Sequence, residues 1–206
     1  MDLLFLLAFP LLLALSTSCD ACVCKLPHPQ TTYCESDVVM LTDLLGLGPV
    51  IRNKQSLRVN VTKIFKGPLK ANEIHEIYTP HSFEDCGFLM QTSIRTNILI
   101  AGFLTAGKIH FTTCHLVYIW AHLFLEQRLG LESFYRKGCD CHINPCLSCL
   151  DSCPEPDEKE CVWQQKDCQY SYWEGDQTKT SMCFASKTGR CQWFTIPTSG
   201  TSLVPR

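Results

Sequence analysis

The pattern of hydrophobic and polar positions along the chain predicts a mainly β protein with a few helices. Leu57–Thr62 alternates apolar and polar residues with a period of two, as a half-buried strand does, and Gly67-Pro68 ends the pattern. Three further candidate strands are residues 73–78, 97–103 and 108–114. Thr105-Ala106-Gly107 separates the last two and predicts a hairpin. Apolar residues recur every three or four positions in Ala121–Tyr135, which indicates an amphipathic helix.

Several short strands and a helix are typical of a small Greek-key barrel such as the OB-fold. The spacing of the strands also allows a β-sandwich, so the pattern alone leaves both architectures open. Charged residues make up 18% of the chain and the formal net charge is −2. This charge balance predicts neither a nucleic acid partner nor binding to an anionic membrane surface.

The first residues resemble a secretory signal peptide. Leu3–Leu15 is an almost unbroken apolar run, too short for a comfortable membrane span, and small residues follow it. We expect cleavage after Ala21, so that residues 1–21 are removed and Cys22 becomes the amino terminus. No second apolar stretch reaches 18 residues. The prediction is a soluble protein that is secreted to the extracellular space or matrix.

The cysteines predict an oxidising compartment and two domains. The chain has 15 cysteines, and cleavage after Ala21 removes Cys19 and leaves an even number that could all pair. They are widely spaced up to Cys139 and dense from Cys141 to Cys191, so the second part must rely on disulfides. Zinc binding by the cysteines is the alternative, which a secreted chain disfavours.

Enzymatic chemistry is not predicted. The sequence has no HExxH, Gly-x-Ser-x-Gly or phosphate-binding loop. A cysteine nucleophile paired with His28 would need a free thiol of low pKa, which an even cysteine count argues against. His28 lies between two prolines, and we interpret it as a packing or hydrogen-bonding residue rather than a metal ligand.

The residues around the predicted amino terminus carry a family resemblance. The segment Cys22–Cys34 reads CVCKLPHPQTTYC and resembles the start of the mature tissue inhibitors of metalloproteinases. Further matching motifs follow in family order: Lys66-Gly67, Tyr78-Thr79-Pro80, Asp85-Cys86-Gly87, Thr112-Thr113-Cys114, Gln127-Arg128, Gly138-Cys139, Glu160-Cys161-Val162-Trp163 and Cys191-Gln192-Trp193. The resemblance extends from Cys22 to about Trp193.

This resemblance implies a netrin-like OB-fold, a five-stranded Greek-key barrel, over residues 22–139 and a small disulfide-rich domain over residues 140–199. Residues 200–206 end in Leu-Val-Pro-Arg and are interpreted as the remnant of a tag. The implied function is a secreted inhibitor of zinc metalloproteinases, a monomer that forms 1:1 complexes with matrix metalloproteinases and related enzymes. The second domain would add contacts to particular proteases or proenzymes.

The resemblance also implies a mechanism. The chain needs no cofactor of its own, and the free α-amine and carbonyl of Cys22 would chelate the catalytic zinc of the target. Val23 would enter the specificity pocket of the protease. The residues implied to contact the protease are Cys22, Val23, Cys24, Lys25, Leu26, Ser82, Phe83, Glu84, Asp85, Cys86 and Thr113.

The disulfide pairing comes from the resemblance and not from spacing. The implied pairs are Cys22–Cys86, Cys24–Cys114, Cys34–Cys139, Cys141–Cys191, Cys146–Cys153 and Cys161–Cys183. The family has twelve cysteines in the mature chain, and the two extra ones here, Cys149 and Cys168, are expected to pair with each other.

The chain departs from the family at several positions. Lys25 replaces small or apolar residues, Leu26 replaces a common proline, and Val38–Asp43 replaces a basic stretch. Glu84 and Asp85 could be solvated loop charges instead of protease contacts. Asn60-Val61-Thr62 is a glycosylation sequon, whose use on a strand requires Asn60 to face outward. A netrin-like module that binds matrix or a receptor without inhibiting proteases is the alternative function.

Overall fold

The computed structural model describes residues 22, 24, 26–90, 95–146, 152–164, 175–198 and 204–205. Four of the sequence-based predictions lie outside the described residues: the signal peptide, the role of Val23, the role of Lys25 and the pairing of Cys149 with Cys168. The first part of the chain contains the strands β1 (Val38–Ile51), β2 (Lys54–Lys66), β3 (Glu76–Pro80), β4 (Ile98–Thr105), β5 (Lys108–His110) and β6 (Val117–Ile119).

Five of these strands form a closed ring. The order is β1-β2-β3-β5-β4, and β4 pairs back onto β1 between Ile98–Gly102 and Val38–Thr42. All pairings are antiparallel except that of β3 with β5, which is parallel. The predicted fold class, a mainly β chain with a five-stranded barrel, is confirmed. β6 extends the sheet by pairing with β4.

β1 is the longest strand, and the sequence pattern did not single it out as a strand. Val38 and Met40 face the barrel interior, whereas Val39 and Leu41 pack on its outer side, and all four are buried. A strand that is buried on both faces loses the apolar–polar alternation and shows a continuous apolar run. The apolar run of Val38–Leu41 therefore carries no strand signal that alternation could reveal.

The predicted hairpin at residues 105–107 is present, because β4 and β5 pair antiparallel across Ala106-Gly107. Both residues have positive φ angles, 49° and 74°, as a two-residue hairpin turn requires. The barrel interior is filled by buried side chains from all five strands and the neighbouring loops: Val38, Met40, Leu44, Leu57, Val59, Val61, Ile74, Ile77, Ile98, Ile100, Ile109 and Phe111.

The helical elements are short. Those in the first part of the chain are α1 (Pro29–Glu35), α2 (Leu125–Leu129), a π turn (Gly130–Phe134) and 3₁₀ turns at Ala71–Glu73, Trp120–His122 and Tyr135–Gly138. The helix predicted over 121–135 is therefore divided into successive turns of different pitch. None of the helices in the described part of the chain is long and apolar enough to cross a membrane.

The second part of the chain is a set of small sheets joined by disulfides. Its elements are β7 (His142–Cys146), β8 (Glu160–Gln164), α3 (Asp176–Thr180), β9 (Ser181–Ala185), β10 (Cys191–Thr195) and β11 (Val204–Pro205). β7 and β8 are parallel, and β9, β10 and β11 form an antiparallel sheet. The buried disulfides Cys141–Cys191 and Cys161–Cys183 lie together at its centre.

The two parts share a second hydrophobic core on the outer side of the barrel. Val39 and Leu99 contribute from the barrel, Tyr135 contributes from the helical region, and Trp163 and Met182 contribute from the second part. All five side chains are at most 3% exposed. The dense-cysteine segment therefore completes a core that begins in the barrel.

His28 is buried where the amino-terminal segment meets the second part. Its Nδ1 accepts a hydrogen bond from the backbone N–H of Gln30 at 3.1 Å, and its Nε2 donates to the carbonyl of Gln177 at 3.1 Å. The ring lies 5.6 Å from that of Trp163 and 5.4 Å from that of Trp193. Both ring nitrogens are occupied, so His28 packs and forms hydrogen bonds rather than binding a metal.

Burial of His28 makes the fold sensitive to acid. The loss of hydration lowers the pKa of His28 from 6.5 to about 4, so the folded state keeps the ring neutral where the unfolded chain protonates it. Stability should be unaffected above pH 6.5 and fall as the pH drops towards 4. We expect a loss of about 2–3 kcal/mol in the free energy of unfolding between pH 7 and pH 4.5, measured by denaturant titration.

The His28→Gln variant is the control for this prediction. It removes the titrating group, so its free energy of unfolding should fall less over the same pH range than that of the unmodified chain. Equal pH dependence in the two proteins would contradict the assignment to His28.

Candidate functional site

Two neighbouring disulfides gather three distant segments at one end of the barrel. Cys22 is joined to Cys86 and Cys24 to Cys114, with Cα–Cα distances of 5.1 Å and 5.3 Å. The Sγ atom of Cys22 lies 3.6 Å from that of Cys24 and 3.8 Å from that of Cys114. We call the surface formed by Cys22, Cys24, Ser82–Cys86, Thr113 and Cys114 the ridge.

The sulfur atoms of the ridge do not form a metal site. The four Sγ atoms lie within 4.8 Å of one another, close enough to surround an ion. All four are oxidised in disulfides and therefore offer no thiolate. The same holds for the buried trio Cys141, Cys183 and Cys191, whose members belong to two further disulfides.

The central segment of the ridge is a tight loop held by its own backbone. The N–H of Cys86 donates to the carbonyl of Phe83 at 3.0 Å, and the N–H of Gly87 donates to the carbonyl of Ser82 at 2.9 Å. Cys86 has a φ of 59°, in the left-handed region. Glu84 is exposed and Phe83 is 55% exposed, so the loop presents both side chains to solvent.

The carboxylate of Asp85 stabilises this loop. Its Oδ2 accepts hydrogen bonds from the hydroxyl of Ser82 at 2.8 Å and from the Nδ2 of Asn53 at 3.1 Å. The N–H of Asp85 donates in turn to the Ser82 hydroxyl at 3.1 Å. Asp85 is exposed, but its hydrogen bonds make it a structural part of the loop and not merely a solvated charge.

Thr113 belongs to the ridge, whereas Leu26 faces another part of the molecule. The N–H and the hydroxyl of Thr113 both donate to the carbonyl of Cys86, at 2.9 Å and 3.2 Å. Next to it, the N–H of Thr112 donates to Nδ1 of His115 at 2.9 Å. Leu26 is half-buried and packs against the outer core.

The structure contains all six disulfides that the family resemblance implies: Cys22–Cys86, Cys24–Cys114, Cys34–Cys139, Cys141–Cys191, Cys146–Cys153 and Cys161–Cys183. Asn60 is exposed on β2, as its sequon requires, and glycosylation there stays a prediction.

Asn53 was not among the residues predicted from the sequence. It lies in the turn between β1 and β2, and the turn could not be recognised because β1 lacks alternation. An asparagine between two strands is a typical turn signal, but it needs both strands to be visible.

Comparisons with known proteins identify the family. The family model described as tissue inhibitor of metalloproteinase matches residues 20–193. This chain belongs to the tissue inhibitor of metalloproteinase family. It is 31% identical to metalloproteinase inhibitor 3 of Scyliorhinus torazame over 199 residues, which covers 91% of this chain and 89% of that protein. It is 34% identical to metalloproteinase inhibitor 2 of Gallus gallus over 197 residues, covering 89% and 86%.

Family membership confirms two of the sequence-based predictions. Tissue inhibitors of metalloproteinases are inhibitors and not enzymes, so the prediction that the chain has no catalytic activity is confirmed. The resemblance drawn from the Cys22–Cys34 segment and the later motifs is confirmed over nearly the whole chain.

Gly87 provides a test of how tightly the ridge loop is built. A Cβ atom at this position would lie 2.1 Å from the carbonyl oxygen of Pro80 and 2.6 Å from that of Ser82. The backbone would have to move, so we expect Gly87→Ala to lower the free energy of unfolding by about 1–3 kcal/mol, measured by denaturant titration.

Gly175→Ala is the matched control, because a Cβ atom there meets nothing within 4 Å. Its effect should stay below about 1 kcal/mol. A Gly87→Ala protein as stable as the control would show that the loop can relax at little cost.

Proposed function

We propose that this chain inhibits zinc metalloproteinases by placing the free α-amine and the carbonyl oxygen of Cys22 on the catalytic zinc of the target. The observation that carries the proposal is the paired attachment of Cys22–Cys86 and Cys24–Cys114. The two disulfides fix the residue that would chelate, so little ordering entropy remains to be lost on binding.

The chemistry of such a target suits this arrangement. The catalytic zinc of a metalloproteinase has three protein ligands and keeps one position for water. An amine and a carbonyl from one residue can displace that water as a chelate. The amine must be neutral, and because a terminal amine has a pKa of about 8, its deprotonation at pH 7 costs roughly 1 kcal/mol.

The mechanism requires residues 1–21 to be removed. A peptide bond to Ala21 would convert the amine of Cys22 into an amide, which does not bind zinc in this way. Cleavage of a signal peptide during secretion would expose the amine. The six disulfides also need an oxidising compartment, which the secretory route provides. We therefore propose that the protein acts in the extracellular space or matrix.

The rest of the ridge would contact the protease on either side of its zinc. Val23 follows Cys22 directly and would enter the specificity pocket, where a β-branched side chain loses little rotamer freedom. Exposed Phe83 and Glu84 and the adjacent Thr113 extend the surface around Cys22. Lys25 would lie near the edge of this contact.

We also propose that the two parts of the chain have different roles. Residues 22–139 would supply inhibition, and residues 140–199 would add contacts to particular proteases or proenzymes. The complex would be 1:1 with a monomeric inhibitor, and an interface of roughly 1,200–2,000 Å² together with zinc chelation would give nanomolar or tighter binding.

The decisive variant adds one alanine before Cys22 of the mature protein. It leaves every side chain and disulfide in place but removes the free amine of Cys22. We expect inhibition of a collagenase or gelatinase to weaken by at least about 100-fold, measured as the inhibition constant, because a metal–ligand bond is lost. Carbamylation of the terminal amine should have the same effect.

Far-UV circular dichroism and the thermal midpoint of the extended protein serve as folding controls and should match those of the mature protein. Equal inhibition by the extended and mature proteins would reject zinc chelation by Cys22. Absence of inhibition by both would favour a netrin-like module that binds matrix or a receptor.

A further inference from the structure

The turn between β1 and β2 lies against the ridge. Arg52 and Asn53 form this turn, with φ angles of 50° and 60°. In the pairing of β2 with β3, Lys54 lies opposite Pro80, so the turn lies beside the residues where β3 ends and the ridge loop begins. One further backbone hydrogen bond extends the β2–β3 pairing past Pro80: the N–H of His81 donates to the carbonyl of Asn53 at 3.0 Å.

The side chain of Asn53 extends beyond the ladder into the ridge. Its Nδ2 donates to Oδ2 of Asp85 at 3.1 Å, and the same oxygen accepts from the hydroxyl of Ser82 at 2.8 Å. One carboxylate oxygen thus joins the two ends of the Ser82–Asp85 segment to a turn that is more than 25 residues away in sequence.

We propose that Asn53 is a positioning residue for inhibition. It acts through Asp85 and holds the exposed ridge loop in the shape that meets the protease. This role rests on the proposed function. The loop is covalently fixed only at Cys86, and its exposed residues Phe83 and Glu84 lie between that point and β3. Asn53 restrains this stretch, which lowers the entropy lost when a protease binds it.

Asparagine suits both demands of this position. Its side chain can donate to a carboxylate, and it tolerates the left-handed backbone better than most residues. Glycine also accepts that backbone but has no amide to donate. Asn53→Gly therefore removes the bond to Asp85 and keeps the turn.

The test compares Asn53→Gly with Asn97→Gly in the mature protein. Asn97 also has a left-handed φ of 53°, but it forms no part of the ridge contacts described above. Its backbone N–H donates a hydrogen bond to the carboxylate of Asp43, and its carbonyl accepts one from the N–H of Trp120. We expect Asn53→Gly to weaken inhibition of a metalloproteinase catalytic domain by about 3- to 10-fold and Asn97→Gly to change it less than twofold. Thermal midpoints are measured for both, because a merely structural role would move the midpoint and not the inhibition constant.

A double-mutant cycle shows whether Asn53 acts through Asp85. On an Asp85→Ala background, Asn53→Gly should have no further effect on the inhibition constant. In the free protein, the backbone amides of residues 82–86 should exchange their hydrogens faster in Asn53→Gly than in the unmodified protein. The expected increase is about 3- to 10-fold, the same factor as the expected loss of inhibition.

Three results would overturn the role of Asn53: unchanged inhibition in Asn53→Gly, an equal loss in Asn97→Gly, or a full additional loss on the Asp85→Ala background. Each requires that the unmodified protein inhibits, so each leaves the proposed function intact. Failure of the unmodified protein to inhibit would reject the proposed function and the role of Asn53 with it.

Discussion

The attachment of Cys22 and Cys24 to loops far along the chain is the constraint on which the rest of the site depends. The two disulfides bridge sequence separations of 64 and 90 residues. In the chain-entropy model each restricts the unfolded chain enough to contribute about 4 kcal/mol. Their local effect matters more for function, because they fix an amino-terminal segment in which none of the described residues before Pro29 lies in a strand or helix.

The barrel provides the rigid base for this attachment. The first halves of β1 and β4 are buried on both faces, inside the barrel and beneath the outer core. The outer core also holds the amino-terminal segment from its other end, since His28 contacts Trp163 and Trp193, and the side chain of Gln30 donates to the carbonyls of Gly138 and Cys183 at 3.0 Å and 2.7 Å. The segment is thus anchored on both sides of Leu26.

The sequence predicted the family, because the cysteine motifs that carry the resemblance are local signals, and that resemblance in turn implied the barrel and the disulfide partners of Cys22 and Cys24. It did not predict β1 as a strand, since burial of its first half on both faces removes the apolar–polar alternation that identifies strands, and its second half is apolar although largely exposed. The role of Asn53 beside Asp85 was hidden for the same reason: the turn depends on β1, and the contact depends on the register of β2 with β3. From Leu125 to Gly138 the chain passes from an α-helix to a π turn and then to a 3₁₀ turn. The spacing of apolar residues predicts a helix there but not these changes of pitch, which depend on tertiary packing.

The most direct measurement is a crystal structure of the mature protein bound to the catalytic domain of a zinc metalloproteinase. Chelation by Cys22 predicts that its α-nitrogen and its carbonyl oxygen both lie about 2.0–2.2 Å from the zinc, in place of the catalytic water. A fully inhibited complex in which the zinc keeps its water and Cys22 lies beyond bonding distance would contradict it.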